Sequence, residues 1–138
     1  MGDARLAFKG LRRAGCGWAL VTSRHDLLVP DTLLWAKGLL DLDAEDVYFS
    51  QSAGYIYGGG DGRLSKLELT RQIGAVCLID DNPHEFVDWP HDEIMAICYA
   101  QPWNRDVRDI DPRIHRLGWL DIYCLLHSRL RDPVRQHP

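Results

Sequence analysis

Residues 76–83 constrain the fold of this chain more than any other part of the sequence. They form an apolar run that ends in two adjacent carboxylates, Asp80 and Asp81, followed by Asn82 and Pro83. A short apolar run that stops at turn-forming residues is typical of a buried strand in a parallel sheet. Adjacent strand residues point to opposite faces, so both carboxylates reach one site only if the chain turns at once. The segment predicts either a Mg²⁺ site, since that ion takes one or two carboxylates, or a plain acid-rich turn.

Length and charge limit the classes of protein that this chain can belong to. Its 138 residues, 46% of them hydrophobic, fit one domain with a substantial core. The formal net charge of −4 argues against a nucleic-acid binder that works by neutralising phosphates. The sequence contains no apolar run of the roughly 18–20 residues needed to cross a bilayer, so we expect no membrane span.

The cysteines indicate a reducing environment. Cys16, Cys77, Cys98 and Cys124 are widely spaced, and the chain has no CxxC pair that would predict a zinc or redox site. Three of the four lie inside apolar segments, which is typical of buried free thiols. We therefore expect an intracellular protein, in the cytoplasm or an organelle matrix, rather than a secreted one.

Short apolar runs alternate with helix-like segments along the chain. The predicted strands are residues 18–21, 47–49, 76–79 and 94–99, and the predicted helices are residues 4–14, 31–39, 66–73 and 117–130. Such alternation predicts an α/β fold with a parallel sheet covered by helices and with ligands at the carboxyl ends of the strands.

The remaining segments complete the expected organisation. Residues 50–63 contain five glycines and predict a loop, because a phosphate-binding P-loop would need a lysine in a different register from Lys66. We expect residues 1–116 to form an α/β domain. Residues 117–138 are expected to form an apolar helix and a basic tail, packed on that domain or on a partner.

Polar residues stand at comparable places beside these elements. Thr22 and Ser23 follow one predicted strand, Lys66 stands at a helix start, and Asp80 and Asp81 follow another strand. Each has a plain structural explanation when it is taken singly. Thr22 can cap a strand end, Lys66 can be a solvated residue of a first helical turn, and the two acids can belong to a turn.

Taken as a set, these motifs resemble the haloacid dehalogenase (HAD) superfamily of phosphatases. The resemblance is closest to the branch of 5′-nucleotidase type and its plant and algal hydrolase relatives, and it covers about residues 6–105. The segments that carry it are Val-Thr-Ser-Arg at 21–24, Ser-Lys-Leu-Glu at 65–68, Leu-Ile-Asp-Asp-Asn-Pro at 78–83 and Gln-Pro-Trp-Asn at 101–104. It implies a HAD-like Rossmannoid three-layer sandwich with a parallel sheet.

The resemblance also implies a role for each polar residue. Thr22 would donate a hydrogen bond to a phosphoryl oxygen, with Ser23 beside it as a further phosphate-site candidate. Lys66 would neutralise charge on the phosphoryl group and the nucleophile, and Asp80 with Asp81 would hold Mg²⁺. These parts suit phosphoryl transfer, which depends mainly on positioning and charge stabilisation.

The first motif of that family is missing from the sequence. It is an apolar strand ending in Asp-x-Asp, whose first Asp attacks phosphorus and whose second acts as acid and base. Upstream of Thr22 there is only Asp3, with no apolar strand before it and no acid two residues later. The missing strand would lie centrally, between the strands that carry Thr22 and Asp80. Those strands must then pair directly or accept a strand from another chain, unless the sequence is a piece of a longer protein.

Four functions remain open at this level. The first is a non-catalytic structural or accessory subunit of a larger assembly. The second is a Mg²⁺-dependent phosphomonoesterase or nucleotidase whose nucleophile comes from another segment or chain. The third is a module that binds Mg²⁺, phosphate or a nucleotide without turnover. The fourth is a receiver-like or generic Rossmann-like domain, although no GxGxxG motif supports dinucleotide binding.

Overall fold

The structure is a computed structural model that describes residues 2–23, 28–50 and 64–131. The strands are β1 Leu20–Thr22, β2 Val47–Phe49, β3 Cys77–Asp80, β4 Met95–Tyr99 and β5 His115–Leu117. The α-helices are α1 Gly2–Arg13, α2 Val29–Trp35, α3 Lys66–Ile73, α4 Val107–Ile110 and α5 Trp119–Arg131. Within these three ranges every strand pair is parallel, which confirms the predicted α/β class and the parallel pairing.

The chain divides into two compact units, which are described separately. Unit 1 comprises residues 1–17 and 75–138, and unit 2 comprises residues 18–74. The predicted glycine-rich loop at 50–63 lies outside the described residues, apart from Ser50. Within the described ranges, no helix is long and apolar enough to cross a membrane.

Unit 1 contains a three-stranded sheet in the order β3-β4-β5. Its central strand β4 is the most buried, with Ala96, Ile97 and Cys98 almost wholly removed from solvent. Strands buried on both faces are typical of parallel sheets, and they explain why this segment is continuously apolar.

Helices α1 and α5 of unit 1 pack against each other. Leu11 of α1 and Ile122 of α5 are fully buried, and the ring of Phe8 meets that of Trp119 edge-on with centroids 5.0 Å apart. At Gly10 the helices approach closely, because a Cβ atom there would lie 2.6 Å from a ring carbon of Tyr123. The predicted apolar C-terminal helix therefore packs on the N-terminal helix.

Unit 2 contains a two-stranded sheet of β1 and β2, in which Leu20 pairs with Val47 and Thr22 pairs with Phe49. A core of Ala36, Leu42 and Val47 lies beside it. The predicted strand at 18–21 is displaced by one to two residues, so Thr22 ends the strand rather than following it.

The boundaries of α3 in unit 2 follow directly from its sequence. The Ser65 hydroxyl accepts a hydrogen bond from the Glu68 N–H at 3.1 Å, and a Glu68 carboxylate oxygen accepts one from the Ser65 N–H at 3.1 Å. This reciprocal pair is a capping box, which satisfies two amide groups that a helix start would leave open. Gly74 ends the helix at a φ of +74°, a backbone conformation that glycine adopts without strain. The helix is therefore fixed at both ends by local chemistry.

Two features of unit 1 differ from the sequence-based prediction. Strand β5 was not predicted, and Leu117, which was assigned to the C-terminal helix, is its last residue. The helix begins two residues later, at Trp119. Leu117 pairs with Tyr99 of β4, so its apolar side chain serves the sheet rather than the helix.

Candidate functional site

The two acids that ended the apolar run lie at the carboxyl end of β3. Asp80 is the last residue of the strand and is half-buried, whereas Asp81 is exposed. The Asp80 Oδ1 atom accepts a hydrogen bond from the Asn82 N–H at 2.9 Å, and the Asn82 Oδ1 atom accepts one from the His84 N–H at 3.1 Å. These bonds form the expected turn, and we call residues 80–83 the acidic turn. One carboxylate oxygen of Asp80 therefore stabilises the backbone.

Asp80 belongs to a row of three polar side chains that crosses the sheet. The pairing register aligns Asp80 of β3 with Cys98 of β4, and Cys98 with Arg116 of β5. Directly paired residues of neighbouring strands project to the same face, with strands about 4.8 Å apart. Burial and, to a smaller extent, the negative charge of Asp80 raise the pKa of the Cys98 thiol to about 11, although Arg116 opposes the shift. The Cys98 thiol is therefore protonated. In the row it lies between the Asp80 carboxylate and the Arg116 guanidinium.

Asn104 connects the acidic turn to the neighbouring strand. This side chain is 2% exposed, and its amide donates hydrogen bonds to the backbone oxygens of Asp81 at 2.9 Å and Tyr99 at 2.7 Å. Its Oδ1 atom accepts hydrogen bonds from the Gln101 N–H at 2.9 Å and from Arg116 Nε at 3.0 Å. The Asn104 side chain thus donates two hydrogen bonds and accepts two, all with partners inside the protein, as a buried amide requires.

Arg116 holds the same network from β5. Its Nε also donates to the Asn104 backbone oxygen at 3.2 Å, and its Nη2 donates to the Gln101 backbone oxygen at 2.9 Å. These partners are neutral oxygens, so they orient the guanidinium without cancelling its charge. Arg116 and Asn104 together fix the acidic turn against the carboxyl ends of β4 and β5. Sequence reasoning singled out neither residue as functional, because a network built on backbone oxygens leaves no spacing pattern in the sequence.

The other predicted site residues lie in unit 2. Thr22 ends β1, and its backbone oxygen accepts a hydrogen bond from the Ser50 N–H at 2.8 Å. Ser23 follows it and is half-buried. Lys66 is the first residue of α3, a helix that packs against β1, so Lys66 and Thr22 lie on contacting elements. The five predicted site residues are therefore divided between the units, with three in unit 2 and two in unit 1.

Two Asp-x-Asp pairs occur in the chain, and neither ends a strand. Asp41 closes a π-helical turn at a φ of +53°, and Lys37 Nζ binds Asp41 at 3.1 Å and Asp43 at 3.0 Å. Asp109 lies in α4, and Asp111 follows that helix. The HAD-type nucleophile stands at a strand end, so neither pair occupies the place of the missing first motif.

A third acidic group, which the sequence reasoning missed, gathers Asp43, Glu45 and Asp46. Their ligand atoms lie within 4.8 Å of one another, but Asp43 and Glu45 are exposed. Lys37 already binds Asp43. Exposed acids at this spacing are common on protein surfaces, and nothing else at this place indicates a metal ligand.

A cluster around Asp111 in unit 1 has a structural role. Arg113 donates two side-chain hydrogen bonds to Asp111, from Nε at 3.1 Å and Nη2 at 2.9 Å, and its N–H donates a third at 3.0 Å. These bonds hold the pKa of the Asp111 carboxyl well below its ordinary value. The Nε2 atom of His91, whose side chain is 7% exposed, lies 3.2 Å from Asp111 Oδ2. The cluster ties the segment before β5 to the segment before β4.

The chemistry of the acidic turn is compatible with Mg²⁺. The Asp80 carboxylate accepts a hydrogen bond from the Asn82 N–H and is half-buried, and the Asp81 carboxylate is exposed. Mg²⁺ takes one or two protein carboxylates and fills its other positions with water and substrate oxygens, so the donor set fits that ion. The same residues equally make a self-contained turn.

Comparison with models of known protein families, with curated proteins and with solved structures found no match for this chain. The likeness to the HAD superfamily therefore remains a prediction from the motifs.

Proposed function

We propose that this chain is a HAD-like protein without the nucleophilic Asp, and that it serves as a non-catalytic structural or accessory subunit of a larger assembly. The observation that carries the proposal is the set of hydrogen bonds that hold the acidic turn. Asp80 caps its own turn, and Asn104 with Arg116 ties the turn to the neighbouring strands. Asp80, Asn104 and Arg116 thus make hydrogen bonds that the fold needs even without a substrate.

The placement of the remaining acids supports the same proposal. An attacking carboxylate must be held in line with phosphorus at a fixed position, as the end of a strand provides. In the described residues before β1, the chain forms α1, and its only acid, Asp3, lies exposed in the first turn of that helix. An acid on a helix surface is not a substitute for one at a strand end.

A second function is favoured by the exposure of Asp81 beside the half-buried Asp80. In this alternative, the chain is a Mg²⁺-dependent phosphomonoesterase or nucleotidase whose nucleophile comes from another segment or chain. Asp80 and Asp81 would hold the ion, which when bound would neutralise charge on the phosphoryl oxygens. Thr22, Ser23 and Lys66, which lie in unit 2, keep the phosphate-binding roles that the motif resemblance implies for them.

The cysteines support a reducing intracellular location for this subunit. All four are free thiols. Burial raises the pKa of Cys77 to about 12 and that of Cys98 to about 11, so both are poor nucleophiles. Buried, unreactive thiols of this kind behave as small apolar side chains.

Phosphate release by the purified chain tests the proposal. Nucleoside 5′-monophosphates and p-nitrophenyl phosphate are incubated with Mg²⁺ or with a chelator, and inorganic phosphate is measured. We expect no release above the uncatalysed rate. Release that requires Mg²⁺, is lost in Asp80→Asn and persists in Asp106→Asn, an exposed acid on α4's N-terminal side, would establish the alternative.

Calorimetry separates binding without turnover from a purely structural role. Mg²⁺ is titrated into the chain in the presence of inorganic phosphate or a nucleotide. Heat that disappears in Asp81→Asn would show that the acidic turn still binds the ion. The accessory role predicts no saturable heat in either protein.

A further inference from the structure

Arg116 is a half-buried cation whose charge no carboxylate of the described residues neutralises. Its Nε bonds to the backbone oxygen and the Oδ1 atom of Asn104, and its Nη2 bonds to the backbone oxygen of Gln101. In the described part of the chain, no acid forms an ion pair with it. Removing a charge from water is costly unless an opposite charge offsets it, so this guanidinium favours an anion from outside the chain.

Arg113, three residues earlier, provides the contrasting case of an arginine paired with an acid. Its Nε and Nη2 atoms both donate to the Asp111 carboxylate, at 3.1 Å and 2.9 Å, although the Arg113 side chain is 65% exposed. Arg116 is more buried and uses the same two nitrogens on neutral oxygens. The anion-binding position of Arg113 is therefore occupied, whereas Arg116 keeps its full positive charge.

The hydrogen bonds of Arg116 leave one end of its guanidinium open. A guanidinium carries five N–H donors in one plane. The Nε N–H is shared by two oxygens of Asn104, and one Nη2 N–H bonds to Gln101. Both Nη1 N–H groups and the second Nη2 N–H have no partner among the described residues. Neighbouring Nη1 and Nη2 donors form a fork that binds carboxylate or phosphate with two parallel hydrogen bonds, and here Asn104 and Gln101 hold its orientation.

The position of this fork agrees with ligand binding. Arg116 lies in β5 and bonds to the segment that follows β4, and ligands of parallel α/β sheets bind at the carboxyl ends of the strands. Asp80, the acid of the same row, lies two strands away, which is roughly 10 Å. An anion bonded to the guanidinium at roughly 3 Å is attracted about three times more strongly than Asp80 repels it, because Coulomb energy falls with distance.

We propose that Arg116 binds the oxyanion of a small ligand, a phosphate or a carboxylate group, through the fork of its Nη1 and Nη2 atoms. The oxygens of Asn104 and Gln101 orient the guanidinium, and the ligand supplies the negative charge. The site lies in unit 1 and requires neither Mg²⁺ nor turnover. It therefore goes beyond the accessory role proposed above and does not depend on it.

A titration of the full chain followed by NMR tests the site. Inorganic phosphate and, separately, acetate are added without Mg²⁺ at an ionic strength held constant with sodium chloride, and the Nε–H resonance of each arginine is followed. The Arg116 resonance should shift and saturate with at least one anion, with a dissociation constant of about 1–10 mM. The anion that saturates it identifies the ligand group as phosphate or carboxylate. The Arg113 resonance is the internal control and should not shift, because Asp111 occupies its donors.

Two substitutions with the same change in charge locate the binding group. Arg116→Gln removes the fork but keeps an amide that can donate to Asn104 or Gln101. Arg105→Gln removes a positive charge from an exposed residue next to Asn104. With the Asn104 backbone amide as reporter, affinity for the anion should fall at least tenfold in Arg116→Gln and stay within twofold in Arg105→Gln. If Arg116→Gln fails to fold, the comparison of Arg116 with Arg113 in the unmodified chain decides.

Three outcomes would overturn the inference. The first is an Arg116 resonance that does not saturate with either anion up to about 50 mM, well above the expected dissociation constant. The second is an equal shift of the Arg113 resonance, which would indicate a general salt effect. The third is unchanged affinity in a folded Arg116→Gln. Phosphate release that requires Mg²⁺ would remove the accessory role without removing this site, since the titration contains no Mg²⁺.

Discussion

Replacing Asn104 by alanine should be the most destabilising single change in the network that holds the acidic turn. The side chain makes four hydrogen bonds, two donated and two accepted, and it is 2% exposed. At about 1 kcal/mol for each bond, Asn104→Ala should lower the free energy of unfolding by about 4 kcal/mol. That is a large part of the roughly 5–15 kcal/mol that stabilises a typical domain.

Equilibrium urea unfolding followed by tryptophan fluorescence measures this loss, and thermal unfolding should show a midpoint about 10–15 °C lower. Asp106→Ala is the matched control, because Asp106 is exposed and its side chain makes no capping hydrogen bond to α4. Its effect should stay within about 0.5 kcal/mol. A loss below about 1 kcal/mol for Asn104→Ala would refute the inference that this network fixes the acidic turn.

Three further predictions concern other parts of the chain. Ser65→Ala removes one half of the capping box of α3 and should cost about 1 kcal/mol in urea unfolding; no measurable change would mean that the cap is not formed. Arg113→Ala removes the bonds that lower the pKa of Asp111, so it should destabilise the protein at neutral pH, and the difference from the wild type should shrink as pH falls below 3.8. A difference that grows in acid would contradict the ion pair. At pH 8 iodoacetamide should modify the exposed Cys124 first and reach Cys98 only on unfolding, which peptide mass spectrometry can follow.

The direction of the pH effect follows from the state that the ion pair stabilises. The pKa of Asp111 is lower in the folded protein than in the unfolded chain, since Arg113 stabilises the carboxylate. The contribution of the pair to stability is therefore complete above the ordinary pKa and is lost as pH falls toward the folded value. Removing Arg113 abolishes this contribution, so the two proteins converge in acid.

Elements with local start and stop signals could be predicted from the sequence. The helix from Lys66 to Ile73 has Ser65 before it and Gly74 after it, and both act at short range. The strand Val47–Phe49 was predicted with its observed bounds, because its β-branched and aromatic residues favour extended backbone.

Strand β5 could not be found in the same way. His115 and Arg116 are charged or titratable, and Leu117 stands next to a strongly apolar helix, so the local pattern favoured the helix. What makes these residues a strand is their pairing with β4, a contact between distant parts of the chain. Local propensity carries no information about such a partner.

The candidate site was predictable only in part. An apolar run before Asp80 was enough to place that residue at the end of a parallel strand, as the structure shows. Asn104 and Arg116 bond to backbone oxygens of residues distant in sequence. Because every residue has a backbone oxygen, these bonds leave no pattern in the sequence that could have predicted them. The division of the site residues between two units also arises from tertiary contacts rather than from motif spacing.

The hydrogen bonds of the acidic turn are the observation on which the proposed accessory role most depends, since Asp80 caps its own turn and Asn104 with Arg116 ties that turn to the neighbouring strands. Phosphate release by the purified chain, measured with Mg²⁺ or with a chelator, tests that role most directly. We predict no release above the uncatalysed rate. Release that requires Mg²⁺, is lost in Asp80→Asn and persists in Asp106→Asn would contradict the account.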